Sequence, residues 1–153
     1  MRIDSHQHFW KFNKIKDSWI TDDMAVIQRD FMPEDLKPIL EQYGFDGCVT
    51  VQSDQSETEN AFQLRNAEQN DFIKGVVGWT DLQAFDVEEK LMNYTRSTKI
   101  KGFRHVLQGE ADRALMIKPT FKKGVSLLSK FGLTYDILIF PDQLRYAHQL
   151  ASQ

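Results

Sequence analysis

The 153-residue sequence predicts an α/β fold with a mostly parallel sheet. Short runs rich in β-branched and apolar residues recur along it, and segments with helical spacing separate them, the alternation expected of βαβ units. Four prolines and eight glycines are scattered as punctuation and do not gather into a linker. No internal repeat stands out beyond the alternation itself, so residues 1–153 are expected to form a single domain.

Five segments read as strands: Arg2–His6, Gly47–Gln52, Lys74–Trp79, Lys99–His105 and Thr134–Phe140. Between the first two, PEDLKPILEQYG predicts a helix ending at Gly44. Pro38 lacks an amide hydrogen and crowds the preceding turn, so it is expected to mark a late start. In SETE, Ser56 and Glu59 form a capping-box pattern ahead of the apolar positions Ala61, Leu64 and Ala67. DVEE opens a third helix, with Val87, Leu91 and Tyr94 spaced as one buried stripe. A fourth follows Pro119, places Phe121, Val125 and Leu128 on one face, and stops at Gly132. The last, DQLRYAHQLASQ, aligns Leu144, Ala147 and Ala151.

Bulk composition narrows the function classes. Hydrophobic residues make up 41% and charged residues 27%, which is typical of globular chains and argues against disorder. Lys plus Arg number 19 against 22 Asp plus Glu, for a net charge of -3. Nothing gathers the basic residues into the stripe that a phosphate backbone needs, so nucleic acid is not an expected partner. The most apolar runs, GVVGW and ILIF, fall well short of the roughly 20 residues that span a bilayer, so a membrane is not one either. Cys48 is the lone cysteine, which rules out an intrachain disulfide or a cysteine-based zinc site and favours a reducing compartment. No apolar signal stretch follows Met1, so the expected location is cytoplasmic.

Candidate chemistry begins in MRIDSHQHFW. On a regular strand His6 and His8 share a face with Cβ atoms about 7 Å apart, a gap that one divalent ion bridges. Asp4 lies on that face one step deeper, placed to orient a ring. The competing reading is a pair of polar residues on a solvated edge. The pair ends a strand in a βα pattern, where ligands gather at carboxyl ends, and this tips the balance toward a site. In KGFRHVLQGEAD, Arg104 offers a planar fork for a carboxylate or polarised oxygen, and His105 titrates near neutral pH. A regular strand points these two to opposite faces, while a turn of the chain near the strand's end would let both reach one cavity. Gln52, Trp79 and Asp81 end other strand candidates, and Glu110 and Asp112 follow the fourth. Each has an ordinary alternative as a turn, core or solvated residue, and His148 reads as a surface residue.

The ordered set IDSHQHFW, DGCVTVQS, FIKGVVGWTDL, IKGFRHVLQGEAD and GLTYDILIFPDQL resembles the amidohydrolase-related hydrolases, in the branch that includes sugar-acid lactonases. The resemblance spans nearly the whole sequence and implies part of a (β/α)8 TIM barrel with its site at the carboxyl end. His6 and His8 match the paired histidines of that family's first strand, as catalytic residues and ligands of zinc or manganese. Arg104 and His105 match its Arg-His pair, as catalytic and substrate-binding residues, with Gln52 and Trp79 also placed to bind substrate. The implied partner is a small molecule, a sugar lactone or related ester, opened by water. A complete barrel takes about 250 residues. Strands six to eight are therefore expected to be missing, and with them a later histidine and an aspartate. Open edges then invite self-association, and the alternative is a non-catalytic half-barrel acting as an oligomer or binding scaffold. A flavodoxin-like sheet is a weaker option, because no GxGxxG or GxxxxGK[ST] match is present.

Overall fold

The computed structural model describes residues 1–152. It contains one sheet of five strands: β1 Ile3–Gln7, β2 Gly47–Val51, β3 Ile73–Gly78, β4 Ile100–Val106 and β5 Thr134–Leu138. Every neighbouring pair is parallel, and the spatial order is the order of the sequence. A doubly wound sheet reverses direction at a switch point, whereas steady progression is the winding of a barrel, so the flavodoxin-like option falls. Helices α1 (Pro33–Gln42), α2 (Glu57–Gln69), α3 (Val87–Tyr94), α4 (Pro119–Lys130) and α5 (Leu144–Ala151) follow the five strands in turn.

The strand ends differ from expectation by one or two residues. At β1 the shift leaves the expected placement intact, with His6 in the strand and His8 just beyond it. Helix α1 runs through Pro38 without a late start. Pro38 is exposed, so the carbonyl that loses its amide partner there faces water. Met32, at the N-cap, donates its amide to Asp35 Oδ2 at 2.8 Å, which anchors the first turn. Gly44 and Gly132 terminate α1 and α4 with φ of 68° and 67°, left-handed values that disfavour a side chain.

The core lies between strands and helices. Cys48, Ile73, Val76, Ile100 and Phe103 from the sheet meet Leu40, Ala67, Leu91, Phe121 and Leu128 from α1 to α4. Each large side chain fully buried here contributes about 2 to 3 kcal/mol. Gly124 lets α4 approach the segment after β3, since a Cβ there would stand 1.9 Å from the Leu82 carbonyl oxygen. On α3 the expected stripe is present, with Val87 and Leu91 buried and Tyr94 packed beside them.

Two helices depart from their apolar patterns. In α5 the buried positions are Ala147 and Leu150, while Leu144 is 65% exposed and Ala151 faces solvent. A turn of 3-10 helix, Pro141–Gln143, precedes α5 and rotates its face. Helix α2 buries Glu59, Asn60, Gln63 and Asn66 along with Ala67, and Ala61 is exposed. Half of its capping box forms: Ser56 Oγ accepts from the Glu59 amide at 3.2 Å. The Glu59 carboxylate does not return to Ser56. It takes hydrogen bonds from Ser53 N and Oγ at 3.1 and 2.9 Å and from Gln63 Nε2 at 2.9 Å. Buried polar groups persist mostly when bonded, and Glu59, Asn60 and Gln63 meet that condition by tying the carboxyl ends of the strands together, whereas Asn66 Nδ2 is buried without a partner among the described residues. No helix among the described residues is long and apolar enough to cross a membrane.

Candidate active site

His6 and His8 meet at the carboxyl end of β1, but not as two steps of one regular strand. The register against β2 shifts between Asp4 and Gln7. The rings come edge to face with centroids 4.8 Å apart, and their Nε2 atoms are separated by 3.0 Å. Asp4 orients neither ring; its carboxylate accepts from the His6 amide and from Gln7 Nε2.

Tautomers follow from the partners. The Val51 carbonyl, at the end of β2, only accepts, so His8 Nδ1 donates to it at 2.9 Å and Nε2 keeps its lone pair. Burial first, and the Arg104 charge second, push the His8 pKa down to about 4, against the opposing pull of the Val51 bond. His8 is therefore neutral at pH 7. Arg104 Nη1 lies 3.4 Å from His6 Nε2, and a guanidinium only donates. In one His6 tautomer Nε2–H donates to the His8 Nε2 lone pair at 3.0 Å; in the other Nε2 faces Arg104 as an acceptor, and its one lone pair joins that of His8 on an ion only by giving up the Arg104 bond.

Such a pair fits a divalent ion. Two nitrogens on a tetrahedral metal with bonds of about 2.0 to 2.1 Å stand about 3.3 Å apart. The observed Nε2 separation is close to this, and the tautomer of His8 is already correct. Among the described residues no group of three or more His, Cys, Asp or Glu is placed to hold an ion, so this segment offers two ligands.

Arg104, on β4, is 7% exposed. Its Nη2 donates to the Gln52 carbonyl at 2.5 Å, Gln52 Nε2 donates back to the Arg104 carbonyl at 3.2 Å, and Arg104 Nε is buried without a partner among the described residues. Burial holds the guanidinium pKa below its ordinary value, while Asp136 on β5 pulls it up in part. A buried cation bonded to neutral acceptors retains attraction for an anionic oxygen.

His105 goes the other way, as alternation along β4 requires. Trp79 Nε1 donates to its Nδ1 at 3.3 Å, which leaves Nε2–H to donate to Glu110 Oε1 at 2.6 Å. The ring stands edge-on to the core residue Phe121 at 5.7 Å. Trp79 is in turn gripped by Asn60, which accepts from its amide at 2.8 Å and donates to its carbonyl at 2.6 Å.

A cavity of about 670 Å³ opens at the carboxyl edge, lined by His6, His8 and Arg104 together with Trp10, Lys16, Trp19, Asp54, Gln55 and Gln108. Of the six expected site residues, three face it. Gln52 lies beneath Arg104 as its support, and Trp79 and His105 form a separate cluster toward the helices. Asp81 and Asp112 are turn residues that accept from the amides of Gln83 and Ala114, and His148 is on the surface.

Lys16 escaped the sequence reading, and Glu59 reads there only as half of a capping box. Lys16 Nζ reaches Glu59 Oε2 at 3.1 Å and lies 3.6 Å from Asp54. Burial works against the Lys16 charge, but Glu59, Asp54 and Asp17 outweigh it and hold its pKa above the ordinary lysine value. The available signal was length: a connection from 8 to 32 between a strand and its helix is long enough to suggest a binding segment.

The sequence matches the Amidohydrolase family (Amidohydro_2) over residues 3–153. It is 40% identical over 145 residues to an L-fucono-1,5-lactonase of Burkholderia multivorans, covering 94% of this chain and 49% of that protein. A second L-fucono-1,5-lactonase, from Burkholderia ambifaria, is 33% identical over 143 residues with the same coverage. The chain thus spans about half the length of these relatives. A crystal structure of an amidohydrolase from Burkholderia multivorans with bound zinc superimposes with a TM-score of 0.95 at 38% identity, over 99% of this chain and 54% of that one. The fold is a partial (β/α) barrel. With enzymes as its relatives, the non-catalytic scaffold reading is not favoured.

Proposed function

The chain belongs to the amidohydrolase family, and from that premise we propose that it supplies the N-terminal part of a hydrolase that opens a sugar-acid lactone by attack of water on the carbonyl. The observation that carries this reading is the convergence of His6, His8 and Arg104 on one cavity at the carboxyl edge of the sheet. The L-fucono-1,5-lactonase relatives supply the substrate class, and carbohydrate metabolism is the setting it suggests.

In this reading Arg104 meets the carbonyl oxygen as it gains negative charge, where a fixed donor on a buried guanidinium is worth more than one in water. Gln52 holds the guanidinium in place from below, so little reorganisation accompanies the reaction. His6 and His8 would hold zinc or manganese, and the bound ion would polarise the carbonyl and lower the pKa of water. Trp79, His105 and Glu110 act as positioning residues, fixing the end of β4 from which Arg104 projects.

The test compares this chain with a version extended to the length of its relatives, measuring zinc and manganese binding by calorimetry and hydrolysis of L-fucono-1,5-lactone. His6→Ala and His8→Ala are expected to abolish metal binding and lower hydrolysis by about 10²-fold or more. Indifference of the extended protein to both substitutions would sink the site assignment. Hydrolysis that survives a strong chelator removes the metal and leaves His6 and His8 as acid-base groups. For the isolated chain we also propose self-association: β1 and β5 are sheet edges, and Ile137 and Phe140 at the β5 side are 38% and 50% exposed. Light scattering that shows a stable monomer refutes it.

A further inference from the structure

We propose that Trp19 is the stacking platform for the hydroxylated ring of the substrate, with Asp54, Gln55 and Gln108 receiving its hydroxyl groups. This rests on the lactonase reading and concerns the part of the substrate remote from the carbonyl.

Trp19 is 57% exposed, yet it lines the same cavity as His6, His8 and Arg104. An indole left this open forgoes the burial that usually rewards a tryptophan. Its backbone has little freedom to withdraw it. Asp17 and Ile20, on either side, are 3% and 5% exposed. Asp17 Oδ2 accepts from the Asn13 amide at 2.8 Å, the Ile20 amide donates to the Asp17 carbonyl at 2.9 Å, and Gln28 Nε2 donates to the carbonyls of Ile20 and Thr21. The exposed ring is thus carried on a pinned segment, at the rim of a cavity within the roughly 300 to 1,000 Å³ typical of small-molecule sites.

Asp54 and Gln55, which line the same cavity, are polar and already oriented. Gln55 Oε1 accepts from the Val106 amide at 2.7 Å, which turns its NH₂ group to the remaining side. Asp54 Oδ2 is occupied by Ser56 Oγ at 2.6 Å and by Lys16 at 3.6 Å, while Oδ1 remains an acceptor. A cavity that combines an indole with amide donors and a carboxylate acceptor complements a ring with C–H bonds on one face and hydroxyls at its edges. The polarised C–H bonds meet the negative π surface, and each hydroxyl both donates and accepts. A plain alkyl lactone lacks both the hydroxyls and the strongly polarised C–H bonds, so it gains less from the indole as well.

Calorimetry with two unreactive rings tests this on both this chain and the extended version. One is L-fucono-1,5-lactam, in which N–H replaces the ring oxygen; the other is δ-valerolactam, which has no hydroxyls. The fuconolactam is expected to bind at least about tenfold tighter. Trp19→Ala should weaken it about tenfold and δ-valerolactam less than about threefold, with Trp19→Phe recovering most of the loss. Gln108→Ala should weaken the fuconolactam alone. Because Trp19 is exposed, Trp19→Ala should move the thermal midpoint by no more than about 2 °C. The proposal is overturned if neither protein prefers the hydroxylated ring, or if Trp19→Ala affects both rings equally. Fuconolactam binding that depends on Trp19, in an extended protein that opens no lactone, refutes the hydrolytic reading and keeps this one. Lactone opening with Trp19-independent binding does the reverse.

Discussion

Asn60 holds Trp79 by both ends of one residue's backbone, accepting from its amide at 2.8 Å and donating to its carbonyl at 2.6 Å. The same Nδ2 also donates to the Tyr94 hydroxyl at 2.9 Å. One buried amide side chain therefore links α2, the end of β3 and α3. Asn60→Ala strands all of these groups at once and is expected to cost about 2 to 4 kcal/mol, read from urea denaturation. It should also release Trp79 from His105, visible as altered tryptophan fluorescence in the folded state. An Asn60→Ala protein of unchanged stability would show that the clamp is not needed.

Arg104 makes its hydrogen bonds as a fork, which a lysine cannot reproduce. In the extended protein, Arg104→Lys is expected to lower kcat for L-fucono-1,5-lactone by about 10²-fold, as the loss of an oriented oxyanion donor does elsewhere. The KM should change far less. Steady-state kinetics separate the two parameters, and a rise in KM alone would make Arg104 a binding residue with no role at the transition state.

His8 titrates near 6.5 in the unfolded chain and at about 4 in the fold. Below pH 6.5 the unfolded state takes up a proton that the native state refuses, so its stabilising contribution is complete above that pH and lost as pH falls toward 4. The full loss is about 3 kcal/mol, levelling off below the folded value. Chelator-treated wild type and His8→Gln, compared by urea denaturation between pH 7 and pH 4, should differ by this slope. Parallel curves would contradict it.

Gly124 brings α4 against the Leu82 carbonyl, with no room for a methyl group. Gly124→Ala gains helix propensity worth up to about 1 kcal/mol but forces the backbones apart, so a net loss of about 1 to 3 kcal/mol is expected. A thermal melt checks the sign. A stabilised variant would mean that α4 shifts freely on the sheet.

Periodicity and punctuation determined most of the architecture: five strands, their parallel sense, the helices between them, and ends at Gly44 and Gly132. These are local properties, since pattern and backbone freedom act over a few residues. The ordered motifs identified the family. Alternation on β4 left two arrangements of Arg104 and His105 open, and the structure turns Arg104 to the cavity and His105 toward Phe121. The tertiary structure alone decided the rest. The close approach of the His6 and His8 rings depends on a register shift against β2 and on the Val51 carbonyl. Glu59, Asn60 and Gln63 look like the solvated face of a helix until partners distant in sequence, Phe9, Lys16 and Trp79 among them, satisfy them underneath. Hydrophobic spacing reports which side chains avoid water, but a buried polar group is stable only through the particular donors and acceptors that folding brings to it.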